Sequence, residues 1–522
     1  MSRYILSVDL GTTNLKAVMY NECGATQGSA QSKVLLSHPT PDREEMDPNI
    51  LWDQFCSTIK SAISCAKVEP HQIAGLAIST QRNTFITWDK ETGEPFHPFI
   101  TWRDLRASNY CKMWNHCASI KVLRFCSKIL HFLTRYNRFV AGSIFKLHPT
   151  MVTGRLLWAF DHVPSLRSSV DAHRVQLGCL ETWLLWKLTD GAVFATDASC
   201  ASATGLWDPY QCDWGTQILS ILGIPTHILP DVYPTSTLFG KTTHELFGAD
   251  IPIVTLVGDA NASLFASGCW DVGSIKITLG TGAFVDVNTG SDPHASIEGM
   301  MPVCGWKLGS VYTFCGTGFA YSTGTVLEWA TSIGIIDQPS DCDRLAHSVS
   351  DSDGVLFVPS FAGLQAPVND DYSAALFIGV KSSTTRAHLA RAMLAGVVFR
   401  VYQVFIVVKR DREFVLPGLK CDGGMAQSDW VCQHLADLTG HSVERMADKD
   451  TSCYGAALLA GFTAGLWMAD ENNNDLRSLI EIGRRFEPRT DSGGSDLPVV
   501  TSLKAEYKYW LKAVERSLNW YQ

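Results

Sequence analysis

Residues 5–20 read Ile-Leu-Ser-Val-Asp-Leu, then Gly-Thr-Thr-Asn, then Leu-Lys-Ala-Val-Met-Tyr. β-Branched and other apolar residues run on both sides of the glycine, and that pattern predicts strand, tight turn, strand. The pattern returns half a chain later over 274–289, as Ser-Ile-Lys-Ile-Thr-Leu-Gly-Thr-Gly-Ala-Phe-Val-Asp-Val-Asn-Thr. A glycine lets the backbone turn sharply and lets another group come close. Adjacent N–H groups and threonine hydroxyls can then converge on one anion. A single such turn is an ordinary hairpin. Two of them, one per half, predict two related lobes that clamp one polyphosphate.

Elsewhere strand and helix patterns alternate, which predicts α/β lobes. The apolar run Ile251–Val257 ends in Gly258-Asp259, and a small-residue helix follows. The lobe boundary is placed there, giving an N-terminal lobe of 1–258 and a C-terminal lobe of 259–522. A third glycine cluster, Gly423-Gly424, closes a strand and opens a helix. It leaves bare backbone for a flat group to lie on, with the small residues Cys453–Ala457 packed behind. Ala395–Val408 approaches the length of a membrane span, but Arg400 and Gln403 interrupt it, so a buried helix is expected. Residues 490–498 read as a loop and 503–521 as a terminal amphipathic helix.

A chain of 522 residues is too long for one core. Its net charge of −9 argues against a general nucleic-acid binder. The first apolar run is broken by Asp9, so no signal peptide is read. Sixteen cysteines include no Cys-x-x-Cys pair. Free thiols in a reducing, cytoplasmic setting are expected.

Two carboxylates stand where chemistry would need them. Asp9 precedes the first turn and could hold Mg²⁺ directly or through water, or simply cap the turn. Asp259 ends the strand before the second hairpin. It reads as a general base that accepts a hydroxyl proton, or as the N-cap of the helix it begins.

Together these segments resemble the FGGY family of carbohydrate kinases and, within it, the animal glycerol kinases. The resemblance spans nearly the whole chain. It rests on Asp9–Thr13 (D-L-G-T-T), Ser79–Thr84 (S-T-Q-R-N-T), Glu181–Thr189 (E-T-W-L-L-W-K-L-T), Gly258–Ala266 (G-D-A-N-A-S-L-F-A) and Leu279–Gly282 (L-G-T-G). Pro359–Pro367 (P-S-F-A-G-L-Q-A-P), Asp422–Met425 (D-G-G-M) and Tyr454–Gly461 (Y-G-A-A-L-L-A-G) complete it. It implies two actin-like (ribonuclease H-like) ATPase lobes with the active site in the cleft between them. It also implies ATP and Mg²⁺ as cofactors, a small polyol such as glycerol as substrate, and a homo-oligomer. The nucleotide positions fall on Thr12, Thr13, Lys16, Thr281, Gly324 and Gly424, with Glu328 and Ser428 replacing the usual Gln and Asn. Asp259 becomes the base and Asp9 the metal-associated carboxylate. The acceptor pocket departs more. Arg82 is kept, but Asn83 replaces a Glu, Thr150 a Tyr, Ala260 a Gln and Cys200 an Asn. A kinase for a larger sugar, or a weak family member acting as a regulatory binding protein, are the alternatives these changes raise.

From Leu105 to Phe160 the chain has nine Lys or Arg and no Asp or Glu. Within 120–138, Val122, Phe125, Cys126, Ile129, Phe132, Leu133 and Tyr136 recur at helical spacing beside Lys121, Arg124, Lys128, His131 and Arg135. The simpler expectation is a helix docked on its own lobe by the apolar face. The alternative is a basic amphipathic helix that contacts a membrane or a protein.

Overall fold

A computed structural model describes residues 2–411, 418–447, 450–467, 474–491 and 494–521. Its frame is a thirteen-stranded mixed sheet. In chain order the strands are β1 Tyr4–Leu10, β2 Asn14–Tyr20, β3 Thr26–Lys33, β4 Ile73–Thr80, β5 Ser236–Lys241, β6 Pro252–Gly258 and β7 Ile275–Leu279. They continue with β8 Ala283–Gly290, β9 Met301–Leu308, β10 Val311–Ala320, β11 Leu419–Asp422, β12 Val443–Met446 and β13 Ile482–Phe486. Across the sheet the order is β13-β12-β11-β7-β8-β10-β9-β5-β6-β4-β1-β2-β3.

Both expected hairpins form, β1 with β2 and β7 with β8. Each is extended by the same scheme. β3-β2-β1 and β10-β8-β7 are antiparallel, while β1-β4-β6 and β7-β11-β12 are parallel. One pairing pattern used twice is what the repeated turns predicted.

The helices used below are α1 Pro48–Ala66, α2 Ala118–Thr134, α3 Asn137–Ile144, α4 Val152–His162, α5 Ala198–Ala203 and α6 Asp259–Ala266. They are followed by α7 Gly324–Ser332, α8 Arg386–Asp411, α9 Asp429–Thr439, α10 Thr451–Thr463 and α11 Pro498–Ser517. One core joins the first half of the sheet to α1 through residues such as Val8, Phe55 and Ile59. A second joins β7 and β8 to α8 and α11 through Ile277, Val285, Phe399 and Trp510. A third lies where α6 and α10 meet beneath β1, β4 and β6, with Ala77, Val257, Ala262 and Ala456 inside. Helix α10, late in the chain, thus closes the core of the first half.

Helix α8 is long and apolar enough to cross a bilayer, yet it is the buried core helix expected from Arg400 and Gln403. The Arg400 guanidinium donates to Gln403 Oε1 at 2.8 Å and to the Ala366 carbonyl at 2.7 Å, so its burial is compensated. Phe399 and Phe405 beside it are buried, each contributing about 1.5–3 kcal/mol.

The simpler expectation for 120–138 holds only in part: the helix docks on its own lobe, but not by its apolar face. A helix forms there as α2, but the residues that face inward are Ile120 and Ser127. Val122, Phe125, Ile129, Phe132 and Leu133 lie on the outside. The physical reason is Arg124, which turns inward and donates to the Phe145 carbonyl at 2.6 Å and to the Asn115 carbonyl at 3.2 Å. That rotation carries the apolar stripe to the surface.

Candidate active site

Strand β4 lies between β1 and β6, parallel to both. The C-terminal ends of all three therefore open on one edge of the sheet, where α/β folds commonly bind ligands. This brings Asp9, the segment Gln81-Arg82-Asn83 and Asp259 to one place.

Ser79 Oγ donates to Asp9 Oδ1 at 2.7 Å. Burial pushes the Asp9 carboxyl up to about 7; the Ser79 hydrogen bond and Lys16 pull against this, and the charges of Asp259 and Asp450 add to it. Lys16 itself pairs with Asp450. Asp259 is also raised by burial, with Arg82 opposing. The N-cap reading of Asp259 is replaced by a different geometry. Gly258 occupies the cap position and Asp259 is the first residue of α6. Its Oδ1 accepts from the neighbouring Ala260 N–H at 2.8 Å. The helix N-terminus favours negative charge there, and Ser199 Oγ, accepting from Gly258 N–H at 3.0 Å, fixes the strand end.

The first turn is pinned by side chains. Trp102 Nε1–H donates to Thr12 Oγ1, and Thr12 donates to Gln81 Oε1, both at 3.1 Å. Gln81 Nε2 reaches the Gly11 carbonyl at 3.3 Å. The Thr13 carbonyl accepts from Val34 N–H at 2.9 Å, and its side chain is exposed. Sequence reasoning did not single out Trp102 or the role of Gln81, although Gln81 sits inside a quoted motif.

The second turn is held by backbone. Gly324 N–H donates to the Gly280 carbonyl at 3.0 Å, and Thr325 N–H to the Thr281 carbonyl at 3.2 Å. A Cβ at Gly324 would lie 2.6 Å from the Gly280 oxygen. Gly423 has φ +92° and its Cβ would meet the Leu279 oxygen at 2.5 Å, so β11 abuts the turn only through glycine. Gly424, next in line, is exposed with nothing within 4 Å of a Cβ placed there. Thr281, Gly324 and Gly424 therefore lie along one wall of bare backbone. Behind it Asp422 accepts from Lys276 Nζ at 3.0 Å and from Thr451 Oγ1 at 2.6 Å. Burial pushes Asp422 up, but Lys276, Ser263 and Thr451 outweigh it and hold the carboxyl below its usual range.

The segments carrying Asn83 and Thr150, where the acceptor was expected, are organised by Arg155 of α4, a role sequence reasoning missed. Its buried guanidinium donates to the carbonyls of Asn83 at 2.7 Å, Thr150 at 2.9 Å and Ile100 at 3.0 Å. Burial lowers its pKa to about 10, which leaves it charged at neutral pH. Asn83 takes φ +66°, and its Oδ1 is buried with no partner among the described residues. Arg82 Nη1 donates to Asn261 Oδ1 at 3.3 Å. Ala260 offers only a methyl group beside Asp259. The Thr150 hydroxyl bonds His148 Nδ1 at 2.9 Å, and His148 Nε2 lies 3.5 Å from the Tyr321 hydroxyl at the end of β10. Burial pulls His148 down to about 4, with Lys146 acting the same way, so the ring is neutral.

Three further positions are committed elsewhere or stand apart. Cys200 is buried at the start of α5 against Asp197. Ser428 caps α9, accepting from Val431 N–H at 3.1 Å, and its hydroxyl donates to Asp343. Glu328 is exposed on α7.

Comparison with known proteins identifies the family. Residues 4–266 match the N-terminal domain of the FGGY family of carbohydrate kinases, and 275–464 its C-terminal domain. Glycerol kinase 5 of Danio rerio is 42% identical over 99% of this chain and 97% of its own length. Glycerol kinase 5 of Homo sapiens is 38% identical over 99% and 96%. The crystal structure of Plasmodium falciparum glycerol kinase with ADP superposes with a TM-score of 0.86 at 25% identity, covering 99% of this chain and 98% of that one. The architecture is therefore the α/β fold of two actin-like lobes, and the chain belongs to the FGGY family of carbohydrate kinases.

Proposed function

We propose that this chain transfers the terminal phosphoryl group of ATP to a primary hydroxyl of glycerol, giving glycerol 3-phosphate and ADP. The observation that carries the reading is the convergence of Asp259, Arg82 and Asp9 at three adjacent strand ends. In this reading the N-terminal lobe, 1–258, binds polyol and phosphates, and the C-terminal lobe, 259–522, binds the nucleoside.

Asp259 takes the proton of the attacking hydroxyl, and a carboxyl raised by burial is a better base than an exposed one. Thr12, Thr13 and Lys16 face the phosphates, and the bare backbone at Thr281, Gly324 and Gly424 receives the nucleotide. Arg82 and the buried Asn83 Oδ1, which has no partner among the described residues, hold acceptor hydroxyls, the amide oxygen accepting one of them. Lobe closure excludes water and limits ATP hydrolysis. The lobes already meet at this end through Lys146 and Asp371, 2.6 Å apart.

The residues present suit Mg²⁺. Asp9 and Asp259 place two mutually opposed carboxylates beside the first turn. Among the described residues no cluster of three or more His, Cys, Asp or Glu forms a metal cage. That is the pattern for a cation held mostly by nucleotide phosphates and water, with one or two carboxylates. Asp9 would hold it, directly or through water, and the cation would neutralise phosphate charge. A homo-oligomer and a cytoplasmic setting belong to the same reading, the latter supported by sixteen free cysteines.

The test is turnover of ATP by the purified protein with glycerol and with a panel of larger polyols and sugars. Glycerol 3-phosphate formation that disappears in Asp259→Asn is expected. Preference for a larger acceptor, or no turnover with any, would sink the glycerol reading and favour one of its alternatives.

A further inference from the structure

We propose that α2 is a docking element for an anionic lipid bilayer, lying flat in the headgroup layer. The helix is anchored from one side only. Arg124, Ile120 and Ser127 face the lobe, and Ser127 packs on Gly142 of α3. The opposite side carries an apolar stripe at i, i+3, i+7, i+10 and i+11: Val122, Phe125, Ile129, Phe132 and Leu133. Phe125 is 64% exposed, Phe132 70% and Leu133 69%. A continuous exposed stripe of this kind marks an interaction surface.

Charge selects the partner. Lys121, Lys128 and Arg135 follow one line along the flank of the stripe, and the Arg135 guanidinium lies over the Phe132 ring at 5.6 Å from its centroid. The whole segment 105–160 has nine cations and no carboxylate, in a chain whose net charge is −9. Apolar stripe and basic flank together are the arrangement of helices that lie in a membrane interface, with rings inserted about 5–10 Å and cation heads at the phosphates. A second copy meeting the same helix about a two-fold axis would bring another acid-free segment and no complementary charge. The surface is the exposed face of one helix, with its large apolar side chains standing in solvent, which suits a deformable bilayer. None of its residues belongs to the cleft, so this inference stands or falls apart from the kinase reading.

The experiment is vesicle flotation of the full chain with phosphatidylcholine alone and with added phosphatidylserine, at low and physiological salt. Wild type should float with the anionic vesicles, more at low salt. Phe125→Glu with Phe132→Glu should reduce the bound fraction roughly tenfold or more. Lys121→Glu with Lys128→Glu should abolish the preference for phosphatidylserine. Both variants should keep the wild-type melting temperature and ATP turnover. No flotation of wild type at either salt overturns the proposal, as does flotation unchanged by the Phe substitutions. A dimer in sedimentation equilibrium that those substitutions dissolve would assign the stripe to a second copy instead.

Discussion

At the proposed phosphate end of the cleft, the first turn is pinned by side chains and the second by backbone. Trp102, Thr12 and Gln81 form a short hydrogen-bonded chain, and Gly324 and Gly423 sit where a Cβ would strike a carbonyl. At the proposed acceptor end stand Asn83, Thr150 and Ala260, where the family resemblance implies glutamate, tyrosine and glutamine, yet the backbone that carries two of them is fixed by the buried Arg155. The difference separates two tasks. In the proposed reading, phosphate handling depends on main-chain geometry that tolerates little change, whereas acceptor recognition depends on side chains projecting from a braced loop. The frame of the second site can persist while its specificity shifts.

The sharpest test of the shared chemistry is Asp259→Asn. The amide keeps the shape and cannot take the proton, so kcat should fall about 10²–10⁴-fold while nucleotide titration stays near wild type. A rate within a few-fold of wild type would remove Asp259 from the base role. Next in size are two valines on the backbone wall. Gly424→Val should fold normally, since its Cβ meets open space, and should weaken nucleotide binding about tenfold or more by blocking close approach. Gly324→Val should lower the melting temperature as well, because the Gly280 carbonyl must move. If both valines bind nucleotide like wild type, the wall is not the nucleotide surface.

The acceptor end calls for a gain of function. Each hydrogen bond missing from a buried site costs about 0.5–1.5 kcal/mol, so the three altered positions predict a glycerol KM about 10- to 10³-fold above that of a glycerol kinase with the full set. Asn83→Glu with Ala260→Gln should raise kcat/KM for glycerol about tenfold or more and leave the ATP KM unchanged. A wild-type KM already in the ordinary micromolar range would show that other residues satisfy the triol, with His148 and Tyr321 the first to test. Arg155→Met should raise the glycerol KM more than the ATP KM, through loss of the bonds to the Asn83 and Thr150 carbonyls.

Local patterns carried both hairpins, the Gly258-Asp259 junction and the buried nature of α8, because each rests on residues close in sequence. What they missed was set by distance along the chain. Trp102 lies 90 residues from Thr12 in sequence, and Arg155 bonds to the Asn83 and Ile100 carbonyls, 72 and 55 residues away. No period or spacing marks such contacts. The apolar stripe of α2 failed for another reason. Helical spacing gives an amphipathic face but not which face docks, and one inward arginine satisfied by carbonyls reversed it.

The smallest expected effect concerns the contact between the two lobes, where His148 spans Thr150 and Tyr321. His97, His148 and His434 are each held down to about 4 by burial, against about 6.5 for the unfolded chain. Folded, they bind fewer protons than unfolded between those values. Their stabilisation is therefore complete above pH 6.5 and is lost as pH falls towards 4. Asp9 and Asp259 act with the opposite sign, since the folded state holds their protons more readily and the penalty of ionising them grows as pH rises. The net curve mixes both, so the difference between wild type and His148→Gln is the clean measurement. Denaturant melts at pH 7 and pH 5 should show the variant losing about 1–3 kcal/mol less than wild type on acidification. Equal losses in the two proteins would mean that His148 titrates normally and does not join the lobes as a neutral ring.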